Sequence, residues 1–192
     1  MQADEALLLW LNGWVGRLPW LDAVVRLIVG DYLVPVFLAL ALFGLWFTGP
    51  TTSVRERNQR AVMTALLGLG LANLAVEALN QFIFRPRPFV DLQVSLLFYR
   101  PTDSSFPANP AAMAFAIATG VWLWNRKVGT SLAVVGTLFA LARVYAGVFY
   151  PLDGVGGAAI GTAASLAAMG FLRLSEPLPT LALRLGRAIY LA

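Results

Sequence analysis

Long apolar stretches with few charges constrain the fold of this chain more than any other feature. Five of them cover residues 21 to 47, 61 to 84, 111 to 124, 128 to 148 and 154 to 171. Hydrophobic residues make up 59% of the 192 residues and charged residues only 12%, about half the charged share of an average soluble domain. Because a helix needs roughly 20 apolar residues to cross a bilayer, the pattern predicts an all-α, polytopic membrane helix bundle of about five transmembrane helices.

Two flanking segments predict helices that lie on the membrane rather than cross it. Residues 4 to 16 are apolar and carry two tryptophans, but they are too few to span a bilayer. The tail, residues 173 to 192, places Arg173, Arg184 and Arg187 among leucines and alanines, which is typical of an amphipathic surface helix. We expect one membrane domain over residues 1 to 192.

The distribution of basic residues predicts how the bundle is oriented. With five spans, the loop at residues 49 to 60, the Arg126-Lys127 turn and the tail fall on one side, with eight basic residues among them. The positive-inside rule makes that side, and hence the C-terminus, cytoplasmic. Residues 85 to 110 and 149 to 153 then share the outer face. The net charge of +4 comes from these small groups rather than a long basic stripe, so no nucleic-acid partner is expected.

Two absences from the composition limit the chemistry. The chain has no cysteine and no histidine, so it lacks thiolates, disulfides and the commonest general base and metal ligand. We expect neither a metal nor another cofactor.

Arginines are concentrated on the predicted outer face. Arg85 and Arg87 flank Pro86 at the mouth of the second span, and Arg143 lies near the end of the fourth. Charge near lipid is costly and usually marks a site, and guanidinium groups bind phosphate bidentately. The arginines predict a site for a phosphorylated lipid, or else they extend to anionic headgroups without forming a specific site.

A polar face is predicted on the second span. Asn73, Glu77 and Asn80 are spaced at i, i+4 and i+7 and share one side of a helix. We expect this side to be turned away from lipid, either joining helices or lining a ligand cavity.

Three stretches together resemble the motifs of the phosphatidic acid phosphatase type 2 family. They are Asn80 through Arg87-Pro88, the Ser-Phe-Pro-Ala-Asn-Pro run at residues 105 to 110, and Ala142-Arg143 through Phe149 to Asp153. The resemblance covers about residues 5 to 172 and is greatest to the bacterial undecaprenyl-diphosphate phosphatase branch. It implies that family's fold, a bacterial cytoplasmic (inner) membrane location, and a phosphorylated lipid as partner.

The motifs depart from the family where it places its catalytic groups. The two histidine positions hold Pro110 and Phe149, and the motif serines are replaced by Ala108 and Ala142. In the family one histidine attacks phosphorus and the other protonates the leaving oxygen; proline and phenylalanine can do neither. The expectation is therefore a pseudo-phosphatase, not an enzyme, that binds a polyprenyl phosphate, diphosphate or phospholipid for sensing, holding or transport.

The expected site has phosphate-binding and supporting residues but no catalytic ones. The phosphate-binding residues are Arg87, Arg143, Asn80 and Asn109, and the supporting residues are Arg85, Asp153 and Glu77. Two alternatives remain open at this stage. One is a structural or regulatory subunit with a vestigial pocket, with a membrane protein partner or a second copy of the chain; the other is a lipid phosphatase of altered chemistry that uses Asp153.

Overall fold

The computed structural model describes residues 3 to 188, and within that range it contains nine α-helices and no β-strand. The helices are α1 (Ala3–Asn12), α2 (Pro19–Val29), α3 (Leu33–Phe47), α4 (Thr52–Asn80), α5 (Pro88–Asp91), α6 (Asn109–Trp122), α7 (Arg126–Tyr145), α8 (Pro151–Leu174) and α9 (Leu178–Ala188). The all-α prediction is confirmed over these residues. Residues 189 to 192 of the predicted tail, and the side chain of Arg187, lie outside the description.

Three helices, α4, α7 and α8, are long and apolar enough to cross a membrane, and α2 with α3 qualifies as one further span bent by 55°. The predicted third span, α6, has 14 residues, about 21 Å at 1.5 Å per residue. That is shorter than a hydrocarbon core of about 30 Å. Over residues 3 to 188 there are therefore three or four candidate spans by length and composition, where about five were expected.

The predicted first span is broken in the middle, at a charged residue that pairs with a distant partner. α2 ends at Val29 and α3 begins at Leu33, with an extended Gly30 between them. In this break the Oδ1 atom of Asp31 accepts a hydrogen bond from Nη2 of Arg143 at 2.6 Å. A buried guanidinium needs an anionic partner, and the break lets the carboxylate reach it.

The short helix α6 forms the centre of the bundle, packed against α4, α7 and α8. Small residues allow these backbones to approach closely. A Cβ at Gly161 of α8 would overlap the carbonyl oxygen of Ala112, and one at Gly68 of α4 would overlap Ser165.

Polar contacts at both ends of α6 show that this helix connects the two ends of the bundle. At its far end, Trp124 donates from Nε1 to Oγ1 of Thr64 at 2.9 Å. At its beginning, the amide of Ala108 donates to the carbonyl oxygen of Asp153 at 3.1 Å. The end at which α4 finishes and α6 and α8 begin is called the site end below.

The N-terminal helix, expected to lie in the membrane interface, packs against the site end. Its residue Asn12 is buried and donates from Nδ2 to the carbonyl oxygens of Tyr145 at 2.8 Å and Ser95 at 2.9 Å. Its Oδ1 accepts from the amide of Ser95 at 2.8 Å. α1 thereby joins the end of α7 to the loop that follows α5, while Trp10 on its other side is exposed.

The C-terminal helix is anchored at the opposite end by an ion pair. Glu176 accepts a hydrogen bond from Nη1 of Arg60 at 2.5 Å and another from Thr180 at 2.8 Å. These two hydrogen bonds hold the pKa of Glu176 below its usual range.

The polar face predicted on α4 does not pack against the neighbouring helices. Asn73 and Glu77 are exposed, contrary to the expectation that they avoid the outer surface of the bundle. The opposite side of α4, with Ala65, Gly68 and Ala72, is the side that packs. Small side chains permit a closer helix contact than asparagine and glutamate do.

Candidate functional site

The loop before α6 and the turn between α7 and α8 are held together at the site end. The amide of Ser105 donates to the carbonyl oxygen of Arg85 at 2.9 Å, and that of Leu97 donates to Ala146 at 3.4 Å. Nη1 of Arg87 donates to the carbonyl oxygen of Val148 at 3.3 Å. The three motif stretches are therefore held together by hydrogen bonds to backbone carbonyl oxygens.

Asp153 is the most enclosed charged group of the site, with 0% of its surface exposed. It is the third residue of α8, where a carboxylate is favoured by the helix dipole, and its Oδ2 accepts from the amide of Tyr150 at 3.1 Å. The same oxygen accepts from Oγ of Ser105 at 2.5 Å, and Oδ1 accepts from Nη1 of Arg85 at 2.5 Å. Both oxygens are engaged, so Asp153 orders the site.

Arg85 connects Asp153 to the N-terminal helix. Its Nη2 pairs with Asp4 of α1 at 2.8 Å, and its guanidinium lies 3.9 Å from the ring centroid of Tyr150. Burial lowers the pKa of Arg85, but the two carboxylates outweigh burial and raise it overall. Arg85 is thus a cation held in place by ion pairs to Asp4 and Asp153.

Arg87 is 4% exposed and is held from several directions. Its Nε donates to the carbonyl oxygen of Asp103 at 3.0 Å, and its Nη2 pairs with Oδ1 of the same residue at 2.8 Å. The guanidinium carbon also lies 4.4 Å from the ring centroid of Phe149. The Asp103 carboxylate is the exposed member of this pair, at 62%.

Arg143, also 4% exposed, is surrounded by aromatic rings. Its guanidinium carbon lies 4.9 Å from the ring centroids of both Phe98 and Phe139, and 6.0 Å from that of Phe149. Nη2 pairs with Asp31, whose side chain is 45% exposed. The Nε atom of Arg143 is buried and has no hydrogen-bond partner, which leaves one donor of the site unused.

The other predicted site residues do not contact these arginines through any hydrogen bond within residues 3 to 188. Asn80, at the end of α4, has a buried Oδ1 without a partner. Asn109 is exposed at the first position of α6, and Glu77 is exposed one turn before the end of α4. The structure therefore brings Arg85, Arg87, Arg143 and Asp153 into the site and leaves the amides at its border.

Four of the positions that depart from the family motifs, those of the histidines and serines, lie in the same region. Ala108, Ala142 and Phe149 are buried in one apolar cluster, and Pro110 is half-buried in the first turn of α6. Of these, Phe149 contacts both guanidinium groups. Its ring thus occupies the centre of the arginine site, at the position that the resemblance assigns to a histidine.

Sequence reasoning did not assign four residues that complete the site, the first of which is Asp4, the partner of Arg85. Asp103 and Asp31 pair with the two arginines, and Ser105 bonds to the buried carboxylate. The signal available for Asp31 was its position as a charged residue inside the apolar stretch at residues 21 to 47. Asp103 gave no signal, because exposed aspartates are common in loops.

Comparison with known proteins identifies the same family as the motifs do. The sequence model of the PAP2 superfamily matches residues 61–176. Undecaprenyl-diphosphatase BcrC of Bacillus subtilis (strain 168) is 31% identical over 169 residues, which are 88% of this chain and 84% of that protein. A match of this extent over most of both chains indicates membership of the same family.

Two solved structures have the same architecture. The crystal structure of Aquifex aeolicus LpxE matches with a TM-score of 0.69 and 28% identity, over 88% of this chain and 96% of that one. The first transmembrane PAP2 type phosphatidylglycerolphosphate phosphatase from Bacillus subtilis matches with a TM-score of 0.64 and 24% identity, over 91% and 87% of the two chains. The second similarity concerns the fold alone.

The relatives contradict the prediction that the chain is not an enzyme. BcrC is named as a diphosphatase. Comparison with this relative therefore shows that the prediction is wrong. That prediction rested on the missing catalytic groups, although the sequence keeps the arginines and Asp153, which the fold brings together. The chain does contain no histidine, so a phosphohistidine intermediate is not available to it.

Proposed function

Since the chain belongs to the PAP2 superfamily, we propose that it recognises the phosphorylated headgroup of a membrane lipid at Arg87 and Arg143. The observation that carries the proposal is the pair of buried guanidinium groups that both lie over the ring of Phe149, at 4.4 and 6.0 Å. Two such cations are costly to bury and together favour a ligand of high negative charge. The lipid class is a polyprenyl phosphate or diphosphate, or a phospholipid.

The donor atoms suit phosphate oxygens. A guanidinium presents several N–H donors in one plane and binds phosphate through two of them at once. Nε of Arg143 is buried without a partner, and a phosphate oxygen is the kind of acceptor that would satisfy it. The side-chain amides of Asn80 and Asn109, at the border of the site, are the neutral donors in this proposal.

An apolar groove along α3 supports a ligand with a long hydrocarbon tail. It has a volume of about 570 Å³ and is lined by α3, α4 and α6. Among its lining residues, Pro35 lies near the beginning of α3, four residues after Asp31, and Phe47 is the last residue of that helix. Asp31, the partner of Arg143, precedes α3 at the same end as Pro35, so the tail of a lipid bound at Arg143 would run along α3 into this groove.

The proposed location follows from the basic residues. Arg55, Arg57 and Arg60 lie at the opposite end of the bundle from the site, and such residues are enriched on the cytoplasmic side. We propose that the chain resides in the cytoplasmic membrane, with the site on the extracytoplasmic face and the C-terminus in the cytoplasm.

The name of BcrC points to undecaprenyl diphosphate as ligand and to its hydrolysis as activity. Turnover on this chain has to proceed without histidine. The two arginines would still hold the phosphoryl group and stabilise the charge that develops on its oxygens. Binding and turnover are therefore expected to depend on the same two residues.

Native mass spectrometry of the gently extracted protein tests this function. We expect the unchanged chain to retain a phosphorylated lipid, and the Arg87→Ala/Arg143→Ala variant to lose it. Arg60→Ala is the matched control, because Arg60 also pairs with carboxylates but lies at the other end of the bundle. Equal lipid in the double variant and the unchanged chain, or no lipid in either, would contradict the proposal. Phosphate release from added prenyl diphosphate, measured on the same three proteins, reports turnover.

A further inference from the structure

A phenol at the site end is joined to Arg143 through a carboxylate. The hydroxyl of Tyr99 donates to Oδ2 of Asp31 at 3.1 Å, and Oδ1 of Asp31 accepts from Nη2 of Arg143 at 2.6 Å. The buried Nε of Arg143 has no hydrogen-bond partner and is the donor assigned above to a phosphate oxygen. A hydroxyl group and a carboxylate therefore lie beside the proposed position of the headgroup.

The segment that carries Tyr99 is fixed against the end of α7. The amide of Leu97 donates to the carbonyl oxygen of Ala146 at 3.4 Å. The ring centroid of Phe98 lies 4.9 Å from the guanidinium carbon of Arg143 and 4.2 Å from the ring centroid of Tyr99. Two separate contacts, one through Asp31 and one through Phe98, thus keep the phenol beside this arginine.

The phenol is open to the surface, whereas another hydroxyl that meets a carboxylate at this end is enclosed. Tyr99 is 58% exposed, and the side chain of Asp31 is 45% exposed. Ser105 donates to the carboxylate of Asp153, but both of these residues are 0% exposed. The oxygen of Tyr99 is therefore accessible to a ligand on Arg143, and that of Ser105 is not.

We propose that Tyr99 is the nucleophile with which this chain attacks the phosphorylated headgroup, and that Asp31 is its general base. This inference rests on the proposed lipid-phosphate site. The chain contains no histidine and no cysteine, so the attacking atom has to be an oxygen or an amine. Tyrosine is among the side chains that form covalent intermediates, and an adjacent base activates such a nucleophile.

The reaction has two steps. In the first, Oη of Tyr99 bonds to the terminal phosphorus while the bond from that phosphorus to its ester or bridging oxygen breaks. The leaving oxygen keeps the electron pair of that bond and receives the phenol proton, which Oδ2 of Asp31 carries. In the second, water attacks the tyrosyl phosphorus and gives a proton to Asp31, which returns it to the phenol oxygen as inorganic phosphate leaves. Arg143 stabilises the charge on the phosphoryl oxygens in both steps.

The protonation state of Tyr99 makes the base necessary. Partial burial, and next the hydrogen bond to Asp31, raise the pKa of Tyr99 above its ordinary value. The phenol therefore keeps its proton at neutral pH, and attack on phosphorus requires an acceptor for it. Oδ2 of Asp31 already accepts this hydrogen bond.

Covalent labelling of the full chain in detergent micelles tests the inference. The probe is farnesyl diphosphate with a radioactive terminal phosphate, mixed with the protein and stopped with acid during the first turnover. An aryl phosphate on tyrosine survives acid, so peptide mass spectrometry can locate it. We expect the label on Tyr99.

Three variants assign the roles. Tyr99→Phe keeps the ring on Phe98 and removes the hydroxyl, so phosphate release should fall at least about 100-fold while lipid retention in native mass spectrometry stays unchanged. Asp31→Asn keeps an acceptor beside Arg143 but cannot take up a proton, and labelling should slow at least about 100-fold. Tyr32→Phe is the matched control, because Tyr32 is 82% exposed and adjoins Asp31 in sequence; it should label and turn over as the unchanged chain does.

The outcomes distinguish this inference from the proposed function. A first turnover without label on Tyr99, or undiminished phosphate release by Tyr99→Phe, refutes Tyr99 as nucleophile and leaves the lipid site standing. Retention of a phosphorylated lipid without any phosphate release has the same meaning. Undiminished labelling of Asp31→Asn refutes Asp31 as the base. If the unchanged chain retains no phosphorylated lipid and releases no phosphate, both proposals fail.

Discussion

Replacing Asp153 by asparagine should destabilise the protein more than any surface charge change, because this carboxylate is fully buried and accepts three hydrogen bonds. The donors are Arg85 and Ser105, each at 2.5 Å, and the amide of Tyr150 at 3.1 Å. Asparagine keeps the volume but brings an NH2 group that cannot accept. At least one buried donor is then left without a partner.

The magnitude follows from the environment of each donor. Breaking a buried ion pair by removing one partner costs about 3–5 kcal/mol. The Arg85 side chain is 29% exposed and keeps its pair with Asp4, so solvent and Asp4 offset part of that cost. We expect Asp153→Asn to lower the free energy of unfolding by about 3 kcal/mol, near the lower end of the range.

Unfolding by sodium dodecyl sulfate in mixed micelles, followed by the fluorescence of the six tryptophans, measures this change. The exposed Asp91 provides the control, since Asp91→Asn should stay within about 0.5 kcal/mol of the unchanged chain. A cycle with Ser105→Ala should give a coupling energy of at least about 0.5 kcal/mol, because the two side chains share a hydrogen bond. A loss below about 1 kcal/mol, or strict additivity with Ser105→Ala, would refute the reasoning.

Three further predictions concern the rest of the bundle. Gly161→Ala should lower the free energy of unfolding by about 1–3 kcal/mol, because the added Cβ would overlap the backbone of α6. The control is Gly170→Ala on the same helix, where the Cβ meets open space and the change should be neutral or slightly stabilising. A comparable loss in both variants would contradict this prediction. Trp124→Phe should cost about 1 kcal/mol through the loss of its 2.9 Å hydrogen bond to α4, and an unchanged unfolding curve would count against it. Because its hydrogen bond to Arg60 lowers the pKa of Glu176, the pair stabilises the folded state fully at pH values above the ordinary glutamate pKa. This stabilisation is lost as the pH falls through the lowered pKa. Hydrogen exchange in α9, corrected for the intrinsic rate, should therefore rise at acid pH in the unchanged chain but show no such rise in Glu176→Gln.

Local apolar pattern was sufficient to predict most of the helices. The stretch at residues 128 to 148 became α7 (Arg126–Tyr145), and that at 154 to 171 became α8 (Pro151–Leu174). Both helices have a clear apolar run with polar or proline residues at their ends, so length and composition fix them. The bounds differ by a few residues because the N-cap Asn125 of α7 and the first residue of α8, Pro151, lie just outside the apolar runs.

Long-range contacts account for what the pattern could not predict. The break between α2 and α3 accompanies the pair of Asp31 with Arg143, 112 positions away in sequence, and hydropathy does not detect such a pair. The outward orientation of Asn73 and Glu77 follows from which face of α4 packs most closely on α6 and α8. Competition between two possible faces is decided by tertiary packing, so the sequence of α4 alone could not resolve it.

The arginines of the site illustrate the same limit. Their residue types and spacing indicated a phosphate site, but not that each arginine would already have a carboxylate partner. Asp4, Asp31 and Asp103 are supplied by α1, by the break before α3 and by the loop before α6. Only the folded chain brings these distant segments to one end of the bundle.

An experimental structure of the chain with an uncleavable prenyl diphosphate analogue, in which a methylene bridge joins the two phosphorus atoms, tests the central claim most directly. We expect phosphate oxygens on the guanidinium groups of both Arg87 and Arg143, beside the ring of Phe149. An analogue bound elsewhere would contradict the claim that these arginines form a lipid-phosphate site.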